Sequence, residues 1–364
     1  MRKAIPIIIV VAVIVVFCLV AVVLRAAPAV RKLLQKPQGT PLSLVTPTEG
    51  MPIELTEVIP EPAATATPQP TSLPTQKATP LSGEPSMLTQ PEPVCGQSGQ
   101  MTLLLLGRSI HLPSNNQRAD LIRLVKLDFD QRAAYIYAIP GQLVVSTPNL
   151  APKYGTQNAR IGDIPTIIFN KDGINTTSEY AATQAVAQAI LDNFGIAADH
   201  YITIKEDLVM QVVDTFNGIE VNIPQKFTMP SYSKYKGMVL EPGKYVFNGE
   251  MVHAYTTYRE SVGEEWQRFS RQNVILEGMR AKLLNPAVFL KIPELYELYK
   301  QNIVTDLSME EIIAAGCLAR EAPSQSIVFS SIPAEKVKIE SDGSMRLLDM
   351  PALVGQLQSA FGVP

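Results

Sequence analysis

The chain has 364 residues, 18% of them charged, and a formal net charge of −3 at pH 7. This slightly acidic balance argues against a nucleic-acid-binding protein, which needs a basic surface to meet phosphates. Its three cysteines and three histidines have no spacing typical of metal ligands, which argues against a structural zinc site.

The N-terminal region contains an unbroken apolar run, residues 4–24, of the length that a bilayer-spanning helix requires. Basic residues stand on both sides of it, so the positive-inside rule does not fix its orientation. A cleaved signal peptide is the competing interpretation, because residues 26–29 are small. Since the run is long and Arg25 interrupts the cleavage region, we predict a cytoplasmic end at 1–3 and an uncleaved membrane anchor at 4–24.

Residues 25–94 are rich in Pro, Thr, Ser, Ala and Glu and have almost no aromatic residues. Such a composition cannot bury enough apolar surface to offset the entropy of ordering, and its prolines favour extended geometry. We therefore predict a disordered stalk over 25–94 that carries a folded domain, residues 95–364, outside the cell. The predicted localisation is the cell membrane, with a single span.

Two cysteines remain outside the apolar run, Cys95 and Cys317. Outside the cytosol they can form a disulfide that closes a very long loop. The alternative is a pair of unbonded, buried thiols, and the sequence leaves both open.

Strands and helices are predicted from apolar periodicity, turn residues and capping signals. Interleaved strands and helices with hairpins indicate an α/β (α+β) fold with a mixed central sheet flanked by helices. The predicted strands are 101–107, 121–129, 133–139, 201–205, 219–223 and two short ones near Ile327 and Met345. The predicted helices are 176–194 with a capping box at Thr176–Glu179, 206–216, 264–284, Ser308–Arg320 and 351–361.

Arginines are concentrated near the start of the predicted helix 264–284. Arg268 and Arg271 are three residues apart and so project to roughly the same face, with Arg259 shortly before them. Guanidinium groups match phosphate oxygens in pairs, so a converging set would make an anion site for a phosphate or pyrophosphate. Alternatively, these arginines pair with neighbouring glutamates on a solvated surface. Spacing alone leaves both interpretations open.

The order of several short motifs is more specific than any one of them. In this order, the chain resembles the LytR-CpsA-Psr family of cell-wall glycopolymer ligases, over about residues 101–284. The motifs that carry the resemblance are Leu106-Gly107, Arg118-Ala119-Asp120, Ile139-Pro140, Val213 to Val221, Asn248-Gly249-Glu250 with Ala254-Tyr255, Arg259, and Glu265 to Gln272.

The resemblance implies transfer of a glycopolymer from a polyprenyl-pyrophosphate carrier to peptidoglycan, by a membrane-anchored extracytoplasmic domain that uses Mg²⁺ (or Mn²⁺). The lipid part of the carrier is expected in an apolar cleft. By the same resemblance, the expected catalytic residues are Arg118, Asp120, Arg259 and Arg268. The expected pyrophosphate ligands are Arg118, Arg259, Arg268, Arg271 and Gln272, and the expected metal ligands are Asp120 and Glu265.

Several motif positions depart from the family pattern. Ser109 stands where an acidic metal ligand is expected, and Gly141 and Gln142 replace an arginine and an acid. Thr257 replaces the first arginine of a pair, and Glu265 replaces an aspartate. Three hypotheses follow: a ligase with reduced activity, a non-catalytic relative that binds carrier lipid or wall polymer as a scaffold, and a surface module whose arginines only pair with local glutamates.

Overall fold

The computed structural model describes residues 39–46, 93–108, 117–205, 207–283, 285 and 290–362. The predicted cytoplasmic end and membrane anchor, and most of the predicted stalk, lie outside these residues. Of the helices within these ranges, none combines the length and the hydropathy that a bilayer span requires.

The described elements alternate between strands and helices along the chain. The strands are β1 (Gln100–Arg108), β2 (Ala119–Asp128), β3 (Ala133–Ala138), β4 (Val144–Ser146), β5 (Asn158–Arg160), β6 (His200–Lys205), β7 (Ile219–Ile223), β8 (Phe227–Thr228), β9 (Val239–Leu240), β10 (Gly243–Phe247), β11 (Ile303–Thr305), β12 (Ile327–Ser331), β13 (Val337–Ile339) and β14 (Met345–Leu347). The helices are α1 (Ala151–Tyr154), α2 (Ile164–Asp172), α3 (Thr176–Phe194), α4 (Asp207–Thr215), α5 (Gly249–Thr257), α6 (Glu265–Leu283), α7 (Ile292–Asn302), α8 (Met309–Glu321) and α9 (Met350–Phe361).

Six strands form the central sheet, in the order β11-β6-β1-β2-β3-β12. β1 pairs antiparallel with β2 and parallel with β6, and β3 pairs parallel with β12. The sheet is therefore mixed, as predicted.

Successive residues of β1 point to opposite faces of this sheet, and each face is buried. Leu103 and Leu105 belong to a core shared with α4 to α8. Leu104 and Leu106 belong to the other core, shared with α2, α3 and α9. The sheet thus lies between two helical layers.

Helix α3 spans Thr176–Phe194, as predicted, but its capping box lies one residue earlier, at Asn175 and Ser178 instead of Thr176 and Glu179. The Oδ1 atom of Asn175 accepts from the Ser178 backbone N–H at 3.0 Å, and Ser178 Oγ accepts from the Asn175 N–H at 3.0 Å. Because Asn is as good a cap as Thr, spacing alone could not choose between these registers. The capping box predicted at Ser308 and Glu311 is confirmed for α8.

Cys95 and Cys317 form a disulfide, with their Cα atoms 6.2 Å apart. Of the two alternatives that the sequence leaves open, the bonded pair is therefore the one present. The bond joins the segment before β1 to helix α8.

Residues 39–46, which fall within the stalk predicted over 25–94, contact the folded domain. Leu42 and Leu44 pack against the core that contains α3. The backbone of Ser43 and Val45 hydrogen-bonds to side chains of that helix. Composition missed this segment because only two leucines and a few peptide groups make the contact.

Candidate functional site

An open cleft, about 640 Å³ when the solvent at its mouth is counted, lies between β1, β2, β6 and the helices α4, α5 and α6. Its walls are mainly apolar, and they include Ile204, Val252 and Ile275. Two arginines and one acid also line it: Arg108, Asp120 and Arg268. An apolar cleft with a few charged groups suits a ligand that has a greasy part and an anionic part.

Arg268 is buried at the start of α6 and contacts two of the predicted site residues. Its Nη2 atom donates to the backbone oxygen of Asp120 at 3.0 Å and also to Glu265 Oε1. Its Nε atom is buried and has no hydrogen-bond partner among the described residues. A buried donor without a partner costs free energy, which an anion in the cleft could offset.

Glu265 lies at the centre of an ion cluster and is fully buried. One carboxylate oxygen pairs with Arg268, and the other, Oε2, accepts from Arg259 Nη1 at 2.9 Å. Burial lowers the pKa of Arg259, and Glu265 opposes this effect by raising it. The glutamate therefore acts as the counter-charge that holds both guanidinium groups in place.

Arg118 lies near this cluster but is paired elsewhere. Its Nη1 atom is 3.0 Å from Asp163 Oδ1, while its Nε and Nη2 atoms are buried without partners in the described part of the chain. Arg118 and Asp120 both lie close enough to influence the pKa of Arg259, after the stronger effects of burial, Glu265 and Arg268. Direct contacts therefore bring together Asp120, Arg259 and Arg268, whereas Arg118 forms an ion pair with Asp163.

Arg271 points away from this set. Its Nε atom donates to the backbone oxygen of Tyr255 at 2.8 Å, and its Nη2 donates to that of Tyr258. Its guanidinium lies 5.3 Å from the centre of the Phe227 ring, and burial lowers its pKa. These contacts satisfy carbonyls at the C-terminal end of α5, so Arg271 has a structural role in this conformation.

Arg123 is a member of the site that the sequence analysis missed. It is 2% exposed, and its Nη2 atom donates to Gln272 Oε1 at 2.9 Å. Its guanidinium lies 5.5 Å from the Phe269 ring. Burial lowers the pKa of Arg123 to about 10, with Arg268 adding to the effect and Glu265 opposing it. The available signal was a permanent charge in the middle of an apolar strand.

The segment 139–142, which departs from the family pattern, is closed by backbone packing. A Cβ atom on Gly141 would lie 3.1 Å from the backbone oxygen of Ala119, and one on Gly162 would lie 2.8 Å from it. The Gly162 N–H donates to the Gly141 oxygen at 2.8 Å. Gln142 is buried, and its Oε1 atom has no partner among the described residues. The space next to Gly141 is therefore filled by main chain.

The described residues do not by themselves make a resident divalent-metal site. Both oxygens of Glu265 are engaged by arginines, which leaves Asp120 as the other predicted metal ligand. Ser109 lies outside the described residues. Within those residues, one group of three candidate ligands lies close together, Cys95, Cys317 and Glu321, but its two cysteines are bonded to each other.

Comparisons with known proteins agree with this architecture. Among curated relatives, TagU of Bacillus licheniformis, a polyisoprenyl-teichoic acid–peptidoglycan teichoic acid transferase, is 26% identical over 142 residues. That match covers 39% of this chain and 44% of the relative, so the chain spans less than half the length of the transferase that it matches. The regulatory protein MsrR of Staphylococcus aureus is 18% identical over 252 residues, covering 68% of this chain and 69% of MsrR.

Solved structures show the same fold. TagV of Bacillus subtilis superposes with a TM-score of 0.55 at 19% identity, covering 74% of this chain and 99% of TagV. TagT bound to LI-WTA superposes with a TM-score of 0.53 at 18% identity, covering 73% of this chain and 92% of TagT. The model of the LytR_cpsA_psr family matches residues 71–355. The chain therefore belongs to the LytR-CpsA-Psr family.

Proposed function

We propose that this protein binds a polyprenyl-pyrophosphate-linked glycopolymer and transfers the glycopolymer to peptidoglycan. The observation that carries the proposal is the apolar cleft whose wall includes buried Arg268, with an Nε donor that has no partner among the described residues. The prenyl chain would occupy the apolar part and the pyrophosphate would face the arginines. The similarity to curated teichoic acid transferases supports the same reaction class.

In such a transfer, positioning and charge neutralisation supply most of the rate acceleration. An acceptor hydroxyl forms a bond to the phosphorus nearer the glycopolymer, and the bond from that phosphorus to polyprenyl phosphate breaks. Arg268, Arg259 and Arg118 would neutralise the pyrophosphate. Asp120, the one carboxylate among the described residues that line the cleft, would accept the hydroxyl proton.

Arg123 and Gln272 would have indirect roles. Because Arg123 is buried and donates to Gln272, it would hold the glutamine side chain in place at the cleft. Arg271 would stabilise the end of α5, one wall of the cleft. A divalent ion, Mg²⁺ or Mn²⁺, would enter mainly with the pyrophosphate oxygens, because Mg²⁺ is commonly held by one or two carboxylates plus substrate phosphates.

A second candidate is a non-catalytic relative that binds the carrier lipid or wall polymer as a scaffold. Two observations favour it. Glu265 is engaged by two arginines, and backbone fills the position where the family pattern has an arginine at Gly141. Removing several charge-stabilising groups, each worth on the order of 3–4 kcal/mol, would leave little turnover.

The two candidates are separated by measuring release of polyprenyl phosphate from a pyrophosphate-linked glycan donor in the presence of peptidoglycan. A ligase releases it, and the Arg268→Ala variant does not, whereas Arg346→Ala, on an exposed arginine of β14, behaves as wild type. The assay is run with and without Mg²⁺. Donor binding without release under either condition would leave the scaffold as the function.

We also propose an extracytoplasmic location at the cell membrane, with residues 4–24 as the single span. The disulfide between Cys95 and Cys317 supports this, because such bonds persist in oxidising compartments. Digestion of intact cells with an external protease tests it, since an extracytoplasmic domain should be cleaved while a cytoplasmic marker survives.

A further inference from the structure

Helix α3 carries a row of three polar side chains that bind the segment 41–45. Tyr180, Gln184 and Gln188 are each four residues apart, so they lie along one face of the helix. Tyr180 Oη donates to the backbone oxygen of Pro41 at 2.8 Å. Gln184 and Gln188 contact Ser43 and Val45. Three helix positions spaced four residues apart thus contact every second residue of the segment.

Each glutamine binds one residue through both its amide atoms. Gln184 Oε1 accepts from the Ser43 N–H at 2.8 Å, and its Nε2 donates to the Ser43 oxygen at 2.6 Å. Gln188 makes the same pair of bonds with Val45, at 2.9 and 2.8 Å. The side-chain amides thus satisfy the segment's peptide groups as a neighbouring strand would.

The spacing of the contacting residues along α3 matches their spacing along the segment 41–45. Four residues of an α-helix rise about 6 Å, and two residues of an extended chain span about 6.6 Å. The same helix repeats this mode inside the domain, where Asn193 accepts from the Ser146 N–H and donates to the Ser146 oxygen, both at 2.9 Å. Pairing of an amide side chain with a peptide group is therefore a recurrent property of α3.

The rest of the segment also fits the domain surface. Leu42 and Leu44, which alternate with the hydrogen-bonded residues, pack against the core that contains α3. Gly39 lies where a side chain has no room, because its Cβ would meet the Tyr201 hydroxyl and would lie 2.8 Å from the Thr305 backbone oxygen. Hydrogen bonds, apolar contacts and a glycine thus all specify this one placement.

We propose that the face formed by Tyr180, Gln184 and Gln188 is a binding site for an extended peptide, and that its occupant is the chain's own segment 41–45. The covalent link gives that segment a high effective concentration over any competing peptide. Docking of this segment would also shorten the link between the predicted membrane anchor and the domain. That link would consist of the 14 residues 25–38 instead of the 70 residues 25–94.

The shorter link matters if the protein acts on a carrier lipid at the bilayer, so this consequence rests on the proposed function. Fourteen extended residues reach at most about 50 Å, whereas 70 reach about 250 Å. A carrier pyrophosphate stands at the bilayer surface, so a short connection would keep the cleft within reach of its substrate. The docking itself depends neither on catalysis nor on the anchor.

Hydrogen exchange of the full chain in phospholipid nanodiscs tests the docking. The Ser43 and Val45 amides should exchange at least about tenfold more slowly than in a free peptide. The double variant Gln184→Ala/Gln188→Ala should remove this protection, while Gln356→Ala, on an exposed residue of α9, should preserve it. Free-peptide rates in the wild type overturn the proposal, and so does protection that persists in the double variant. Protection that rises with protein concentration would assign the occupant to a second copy, which also overturns it.

A matched glycine pair gives an independent test. Gly39→Ala should accelerate exchange of the Ser43 and Val45 amides, whereas Gly355→Ala, whose Cβ would meet nothing within 4 Å, should not. Neutron reflectometry of the full chain in a supported bilayer then measures the height of the domain. The double glutamine variant should move the domain outward, and an unchanged height overturns the inferred shortening. Release of polyprenyl phosphate, measured on the same samples, reports separately on the proposed function.

Discussion

The start of α6 and the segment 139–142 belong to the same set of family motifs, yet they have opposite chemistry. At α6, charged side chains are retained and buried, with Glu265 pairing Arg259 and Arg268. At 139–142, the charged positions are Gly141 and Gln142, and main chain fills the space beside the glycine. The two regions therefore differ in what fills them: a buried ion cluster at the start of α6, and main chain beside Gly141. We therefore expect the first region to depend on a single acid, and the second to resist a larger side chain at Gly141.

The largest expected effect is that of Glu265→Ala. This change leaves the buried guanidinium groups of Arg268 and Arg259 without their counter-charge, which should cost about 3–5 kcal/mol of unfolding free energy. Urea denaturation measures it. Glu335→Ala, on an exposed glutamate, is the control and should change stability by less than about 0.5 kcal/mol. If the two variants are equally stable, the ion cluster does not hold the α6 region together.

Arg271→Ala separates a structural arginine from a ligand-binding one. It removes charge-assisted hydrogen bonds to the Tyr255 and Tyr258 carbonyls, which should cost about 1.5–3 kcal/mol of stability. Binding of a polyprenyl pyrophosphate should change less than it does in Arg268→Ala, measured by titration calorimetry well below the unfolding temperature. An equal loss of affinity in both variants would return Arg271 to the pyrophosphate ligands that the motif implies.

Gly141→Arg tests whether the second region is closed. Because a Cβ there already meets the Ala119 oxygen at 3.1 Å, the new side chain should overpack the site and cost about 1–3 kcal/mol. It should not increase polyprenyl phosphate release. Gly355→Arg on α9, where a Cβ meets nothing within 4 Å, serves as the control for thermal denaturation. A stable variant with increased release would show that this region can still accept the family's arginine.

The smallest expected effect is a pH dependence of stability that comes from His200. This residue lies outside both regions, so it shows the effect of one partly exposed ion pair for comparison. Asp306, 3.4 Å from its Nδ1 atom, is the main cause of a raised pKa, and Glu311 and Asp199 act in the same direction. Since the folded-state pKa is raised, the stabilisation is complete below about pH 6.5 and is lost as pH rises through the folded-state value.

The variant His200→Gln should remove that pH dependence. The difference in unfolding free energy between wild type and variant should shrink by no more than about 1 kcal/mol across this window. Denaturation curves at several pH values check it. A difference that stays constant with pH would mean that the histidine is not protonated preferentially in the folded state.

Much of the fold could be predicted from the sequence, because its elements have strong local signals. The mixed sheet and helices α3, α6 and α8 were predicted from periodicity and caps, and the strand Ile219–Ile223 was placed at its observed bounds. Helices α2 and α7 were not predicted, since each contains a proline near its start that resembles a break in the pattern. The cap of α3 shifted because Asn175 and Thr176 are both competent caps.

The site was harder to predict because its decisive features are contacts between distant residues. Spacing placed Arg268 and Arg271 on one face, but only tertiary structure shows that Arg271 bonds to carbonyls of α5. Pairing of the arginines with glutamate, offered as a surface alternative, occurs at Glu265, but in the buried interior. Arg123 was missed since its partner, Gln272, lies 149 residues away.

The two cores on opposite faces of the sheet have a mechanical consequence. The cleft is built from the layer that contains α4 to α6, whereas the segment 41–45 attaches to α3 in the other layer. The two layers are linked, because Glu179 of α3, next to Tyr180, pairs with Arg108 of the cleft wall at 2.8 Å. A pull on the N-terminal part of the chain would therefore load α3 and reach the wall of the cleft through this ion pair.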